Sequence, residues 1–251
     1  MNEIDERFSR TALLLGEENT RNLAAKHVLI VGVGGVGGHA AEAIVRCGVG
    51  RVTLVDGDTV EPSNCNRQII ALSSALGRPK ALVMAERCRE INPRGEFVAE
   101  ARFLRSAEEI AALLERPFDF VVDAIDDVPV KTELIRKLVE KSIPFVSAMG
   151  AGGKLDPSAV RQADISKTCG CPLARVMRKN LKALGIVRDV PVVFSPEPPR
   201  RSFTDRKIGS ISYMPAVFGN LCAAEAIRSL GGFSEKSAVP DLKNPDSGGI
   251  L

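Results

Sequence analysis

Apolar residues along this chain fall into short runs separated by stretches of helical character. Val28-Leu29-Ile30-Val31 is the first run; it ends in the turn Gly32-Val33-Gly34-Gly35-Val36-Gly37, after which an alanine-rich segment is suited to a helix. Arg51–Val55, Phe97–Ala101, Phe118–Val122 and Ile143–Ala148 read as further buried strands. The intervening segments carry helix signals. Ser73 or Ser74 can cap a helix that enters through Gly77-Arg78-Pro79-Lys80 and stops at Asn92-Pro93. Ser106 and Glu109 form a capping box for a helix reaching Glu115. Asp126 or Asp127 can cap Val130–Lys141, and Tyr213–Leu230 returns to helical spacing. Short apolar strands alternating with helices predict an α/β fold: a doubly wound, Rossmann-like sheet, parallel in its N-terminal part, with a basic loop and helix insertion in the C-terminal half. Residues 1–26 are expected as a helical arm and 27–230 as a single domain with the insertion at about 165–210. The Gly-, Ser- and Pro-rich stretch 231–251 is expected as a mobile tail.

Composition narrows the classes. Of 251 residues 45% are apolar, yet aromatics number only ten Phe, one Tyr and no Trp, so the core must be built from Val, Ile, Leu and Ala. No stretch is apolar and long enough to span a bilayer, and MNEIDERFSR lacks the hydrophobic run of a secretion signal, which points to the cytoplasm. Six cysteines lie scattered without a disulfide framework, consistent with a reducing compartment. With two histidines only, chemistry that needs several imidazoles is disfavoured.

Charge is unevenly placed. Ten basic residues between 165 and 210 (Lys167, Arg175, Arg178, Lys179, Lys182, Arg188, Arg200, Arg201, Arg206, Lys207) face three acidic ones, a local +7 in a chain of net charge +3. Such a concentration suits a polyanion, although a solvated basic helix explains it equally. Pro191, Pro196, Pro198 and Pro199 make much of this region read as loop.

The glycine turn carries the first chemical signal. Glycine lets the backbone approach a phosphate, and the helix behind it aims free amides and its positive dipole end at the same point. Asp56 ends the second strand nineteen residues after Gly37, about where a ribose-binding acid sits in a nucleotide-binding βαβ unit. Ser63-Asn64-Cys65-Asn66-Arg67-Gln68 is too long and polar for a simple turn. Lys80 falls in a first helical turn, where a cation opposes the dipole; either an anion lies nearby or the lysine is exposed and harmless. Asp123, Asp126 and Asp127 crowd the end of a strand, where open α/β sheets bind ligands. A fingerprint with a trailing acid fits an NAD-dependent oxidoreductase as well as an ATP enzyme. Cationic donors and a carboxylate near the phosphates favour ATP and a divalent cation.

The ordered set GxGGxG, DGD, SNxNRQ, GRPK and DAIDD resembles the E1-like superfamily of adenylating enzymes over most of the chain, from Arg7 to about Leu230. The resemblance implies ATP and Mg2+ as cofactors. It places the glycine loop on Gly32, Gly34, Gly35 and Gly37, nucleotide contacts on Asp56 and Asp58, phosphate contacts on Asn66, Arg67 and Lys80, and the metal on Asp126. The segment RFSR is similar to the family's R(Y/F)xR and implies that Arg10 acts in trans across a homodimer, although spacing alone leaves Arg7 and Arg10 as a solvated face. The catalytic set so implied is Arg10, Arg67, Lys80 and Asp126. Within the superfamily, NxNRQ, EINP, DAIDD, GAGGKLDPS and ADISKT resemble the tRNA threonylcarbamoyladenosine dehydratase branch. That branch implies adenylation of the carboxylate on a modified tRNA adenosine, followed by dehydrative ring closure, with tRNA on the basic region and a cysteine desulfurase system as a further partner left open. Relatives that activate carrier proteins bear two CxxC pairs for zinc; this chain has none, and the alternative, an adenylyltransferase for a sulfur-carrier protein, is correspondingly weaker. Lys167-Thr-Cys-Gly-Cys-Pro-Leu173 replaces the branch's KTxxDPL, leaving Cys169 and Cys171 as loop residues, a redox pair, metal ligands or a nucleophile.

Overall fold

The computed structural model describes residues 4–200 and 208–232. The chain enters through a 3-10 turn, Glu6–Phe8, and two helices, α1 (Ser9–Leu15) and α2 (Glu17–Ala25). The expected helical arm is thus broken at Gly16, whose φ of 85° no helix accommodates. An alternating series follows: β1 (His27–Val31), α3 (Gly35–Arg46), β2 (Arg51–Val55), α4 (Lys80–Ile91), β3 (Glu96–Glu100), α5 (Ala107–Leu113), β4 (Phe120–Asp123), α6 (Val128–Glu140) and β5 (Phe145–Ala148). The C-terminal part holds β6 (Arg161–Asp164), α7 (Pro172–Ala183), β7 (Pro191–Phe194) and α8 (Tyr213–Gly231).

One sheet joins all seven described strands in the order β3-β2-β1-β4-β5-β7-β6, parallel except where β6 meets β7. The order reverses between β1 and β4, so a crevice opens beyond their carboxyl ends. Successive residues of the central strands feed opposite cores. Val28, Ile30, Val52, Leu54, Phe120 and Val122 pack with Ile44, Met84 and Phe218 of α3, α4 and α8. Leu29, Val31, Val55 and Val121 pack with Ile110, Leu134 and Met177 of α5, α6 and α7. Both faces are dry, which is why these strands are apolar throughout rather than alternating, and each large side chain so buried contributes about 1.5–3 kcal/mol.

Local departures have identifiable causes. Ser73 and Ser74 do not cap α4; they open a separate 3-10 turn, and Pro79 stands at the N-cap. The Ser106 hydroxyl accepts from the Glu109 amide at 3.2 Å, but Glu109 reaches back to the amide of Arg105 instead of closing the box. The 165–210 region is more regular than its prolines imply, because Pro191 takes the first position of β7, where no ladder donor is lost inside the strand. Gly232 closes α8 in the left-handed conformation, and the expected tail from 233 onward lies outside the described residues, as do Arg201, Arg206 and Lys207.

The tightest joint is between the turn and α3: a Cβ on Gly37 would lie 1.8 Å from the carbonyl oxygen of Gly32. Gly37→Ala is therefore expected to cost about 3 kcal/mol or more of unfolding free energy in a urea titration.

Candidate active site

Gly32, at φ 87°, turns the chain out of β1 so closely under the next strand that a Cβ would meet the Ala124 carbonyl oxygen at 2.7 Å. Gly35 is pressed against Pro215 of α8, 3.0 Å from where its Cβ would stand. Gly34 differs: a Cβ there would meet only Gln68 Nε2, at 3.7 Å. Gly34 is also the N-cap of α3, a position with no side-chain cap. Among the described residues the first amides of this twelve-residue helix therefore have no side-chain cap and open onto a cradle, the space beside Gly34.

Asp56 holds this turn from the β2 side. Its carboxylate accepts the Val33 amide at 2.6 Å and the Asp58 amide at 2.8 Å. Burial raises its pKa above the usual carboxylate range, against the pull of those two amides and of Lys80. Lys80 opens α4 and is 5% exposed; its Nζ lies 2.8 Å from Asp58 Oδ2. The backbone repeats the link, since the Lys80 amide donates to the Asp58 carbonyl at 2.9 Å and Thr59 bridges to Pro79. Asp58 supplies the anion that offsets a lysine at a helix N-terminus. Its side chain is 54% exposed, so the pair stands open to a ligand that competes for the ammonium.

Residues 62–68 form the opposite wall. A 3-10 turn, Pro62–Asn64, is closed by reciprocal bonds between Glu61 and Asn64. Arg67 folds its guanidinium onto the Ser63 carbonyl and Asn66 Oδ1, both at 2.8 Å, while Asn66 Nδ2 reaches the Ser210 carbonyl at 3.0 Å. The Arg67 carbonyl stands 3.4 Å from the Cβ position of Gly35 and is bonded by the His39 ring, which ties the segment to α3. Gln68 is buried and its Oε1 has no hydrogen-bond partner among the described residues. A buried amide with an unanswered oxygen beside Gly34 marks the cradle as a place built for polar contact, and sequence reasoning passed over it although it completes the SNxNRQ motif.

The third wall follows β4, where one expectation needs correction. Asp123 does not face the crevice: it is fully buried and paired with Lys131 at 2.9 Å, because its position on the central strand points it into the layer under α6. Asp127 caps α6 by accepting the Val130 amide at 2.9 Å. Asp126 has neither task, and it directly follows Ile125, whose amide nitrogen is 3.2 Å from the Cβ position of Gly32. The segments bearing Arg67, Lys80 and Asp126 thus surround one turn.

Arg10 lies elsewhere. Phe8 packs against Gly48, past the C-terminal end of α3, whereas the turn is at the N-terminal end of that helix, about 18 Å away at 1.5 Å per residue. The Gly150-Ala-Gly-Gly153 loop is tied down: Gly153 pairs with Arg200 and Gly209, and buried Lys154 donates to the carbonyls of Ser195 and Glu197. All six cysteines are free thiols; Cys169 is exposed, Cys171 is buried, and burial pushes Cys222 up to about 12. Among the described residues no group of three or more His, Cys, Asp or Glu side chains could hold a metal, and no helix is long and apolar enough to cross a membrane.

Comparison with known proteins gives concordant results. The ThiF family matches residues 8–249. The tRNA threonylcarbamoyladenosine dehydratase of Bacillus subtilis (strain 168) is 43% identical over 192 residues, covering 76% of this chain and 75% of that protein. The protein of the same name from Escherichia coli (strain K12) is 36% identical over 251 residues, covering 90% and 93%. A crystal structure of the E. coli tRNA N6-threonylcarbamoyladenosine dehydratase in complex with ATP superposes with a TM-score of 0.87 at 35% identity, over 94% of this chain and 100% of that one.

Because Gly34 alone among the glycines of the turn has room for a side chain, Gly34→Ala is expected to unfold within about 1 kcal/mol of the unaltered protein. It should nevertheless weaken ATP binding at least about tenfold in calorimetry, by filling the cradle over the α3 amides.

Proposed function

Since the chain belongs to the ThiF family, we propose that it is an ATP-dependent tRNA threonylcarbamoyladenosine dehydratase. The observation that carries this is the uncapped start of α3 under Gly34, walled by the segments of Lys80, Arg67 and Asp126, in a chain matched by dehydratases along nearly its full length.

The chemistry follows from the layout. A carboxylate is a poor electrophile until one of its oxygens becomes a good leaving group. The substrate carboxylate attacks the α-phosphorus of ATP; a new P–O bond forms as the bond to the β-phosphate oxygen breaks, and pyrophosphate departs. A heteroatom of the carbamoyl group then attacks the activated acyl carbon, gives up its proton, and expels AMP as the ring closes. The nucleoside loses the elements of one water, so no enzyme thiol is required. The α3 amides and the Asp56 side of the turn hold the nucleotide, while Lys80 leaves Asp58 to meet the polyphosphate and Arg67 turns from the Ser63 carbonyl to neutralise the departing charge. Asp126 is the carboxylate that would hold Mg2+. A lone carboxylate suits that ion, which is ordinarily shared with substrate phosphates and water and there stabilises phosphate charge.

A homodimer fits the remaining features. Leu13 and Leu14 of α1 are 81% and 84% exposed beside Arg10, a pair of apolar side chains that a second copy would cover. Arg10, remote from its own turn, would then enter the partner's site. The tRNA surface is assigned to α7, whose exposed Arg175, Lys179 and Lys182 have no acidic partner among the described residues and whose twelve residues include no acid. Helix α6 shows the contrast, with Arg136, Lys137 and the C-cap Lys141 all paired to glutamates. A cytoplasmic location accords with ATP as cofactor, tRNA as substrate and six free thiols.

Incubation with ATP, Mg2+ and threonylcarbamoylated tRNA should release AMP and yield a nucleoside lighter by one water in mass spectrometry. Pyrophosphate exchange driven by a sulfur-carrier protein and not by tRNA would reject the assignment. Lys80→Ala and Arg67→Ala are each expected to slow ring closure by about 10²–10³-fold. Joint replacement of Arg175, Lys179 and Lys182 by Glu should raise KM for tRNA at least about tenfold, leave KM for ATP unchanged, and flatten the salt dependence of tRNA binding by a log–log slope of about 2–3.

A further inference from the structure

The only charged pair with both side chains at zero exposure among the described residues joins Lys131 on the first turns of α6 to Asp123 at the end of β4. Lys131 Nζ lies 2.9 Å from Asp123 Oδ2 and donates to the Ile125 carbonyl at 3.0 Å. Asp123 accepts two further bonds, from the Ser147 hydroxyl at 2.7 Å and from the Ile125 amide at 3.2 Å. Ile125 is therefore gripped through both its amide and its carbonyl by the two members of the pair. Ala124 is fixed to β1 by a 2.8 Å bond to the Val31 carbonyl, and Asp127 is fixed by capping α6. Asp126 is left as the one residue between two immobilised points.

Stability does not explain this arrangement. A buried ion pair is often no more favourable than a well-packed apolar pair of similar volume, and a lysine in the early turns of a helix opposes the dipole. What the pair supplies, and an apolar pair would not, is directional bonding to the loop 124–126. We propose that Lys131 and Asp123, with Ser147 behind them, are positioning residues that set the direction of the Asp126 carboxylate relative to the glycine turn. This rests on the reading that Asp126 meets the magnesium carried by ATP.

The test uses Asp123→Asn combined with Lys131→Met, which removes both charges at nearly constant volume, with Asp126→Ala as reference. Mn2+ binding, followed by electron paramagnetic resonance in the presence of a non-hydrolysable ATP analogue, gives a readout apart from turnover. The double variant is expected to melt near the unaltered protein, yet bind Mn2+ about 10–100-fold more weakly, as loss of supporting contacts around a metal ligand does. Hydrogen exchange of the 124–127 amides should quicken at least about tenfold without metal or nucleotide. A folded double variant with unchanged Mn2+ affinity and unchanged exchange overturns the proposal. Should the double variant fail to fold, Ser147→Ala decides: it takes one hydroxyl from the cluster, and Mn2+ affinity is expected to fall about threefold, with no change overturning the proposal. If Asp126→Ala itself binds Mn2+ normally, the metal assignment fails, and the exchange result still reports whether the pair orders the loop.

Discussion

Everything in this molecule's active region depends on one steric constraint, the approach of Gly37 to the Gly32 carbonyl within a gap that admits no side-chain atom. That contact sets α3 directly against the end of β1 and so aims the first amides of the helix across the crevice where the strand order reverses. Gly32 seats the same turn under Ala124, just past β4, which brings the Asp126 loop to it from one side; Asp56 grips the Val33 amide and brings β2 with Asp58 and Lys80 from the other. The two halves of the site are held to one turn by close backbone packing at Gly32 and by the short Asp56 carboxylate on the Val33 amide.

This constraint also explains why the first half of the fold was legible in the sequence. A turn that tolerates no Cβ must be written in glycine, strands dry on both faces must be written in Val, Ile and Leu, and the acid that closes the turn must follow the second strand. The signals weaken where geometry is set by distant partners. Asp123 reads as one more acid at a strand end, and only the pairing of β4 with β5, which puts Ser147 beside it, and the eight-residue reach to Lys131 reveal that it is buried. Gln68 is another such case, an ordinary polar residue until its packing against Gly34 is seen. The prolines after Arg188 suggested loop because strand β7 is only four residues long and begins on one of them.

Charge is used in two distinct ways. Around the turn, each cation has an interim oxygen partner: Lys80 has Asp58, and Arg67 has Ser63 and Asn66. These are contacts that a polyphosphate can replace without leaving a buried charge alone, since Asp58 is open to water. On α7 the exposed cations have no acidic partner among the described residues, the arrangement that the proposed tRNA surface calls for. A site that binds a small, highly charged nucleotide and a long polyanion needs both arrangements, one compensated and local, one uncompensated and broad.

The central claim, that a triphosphate lies over the turn at 32–37 and draws Lys80, Arg67 and Asp126 together, is most directly tested by a crystal structure of this protein with Mg2+ and a non-hydrolysable ATP analogue. The account predicts phosphate oxygens within hydrogen-bond reach of the α3 amides, Lys80 Nζ and the Arg67 guanidinium, with the metal about 2.1 Å from an Asp126 oxygen or one water away from it. A nucleotide bound away from that turn, with Lys80 and Arg67 both remaining on their present protein partners, would contradict it.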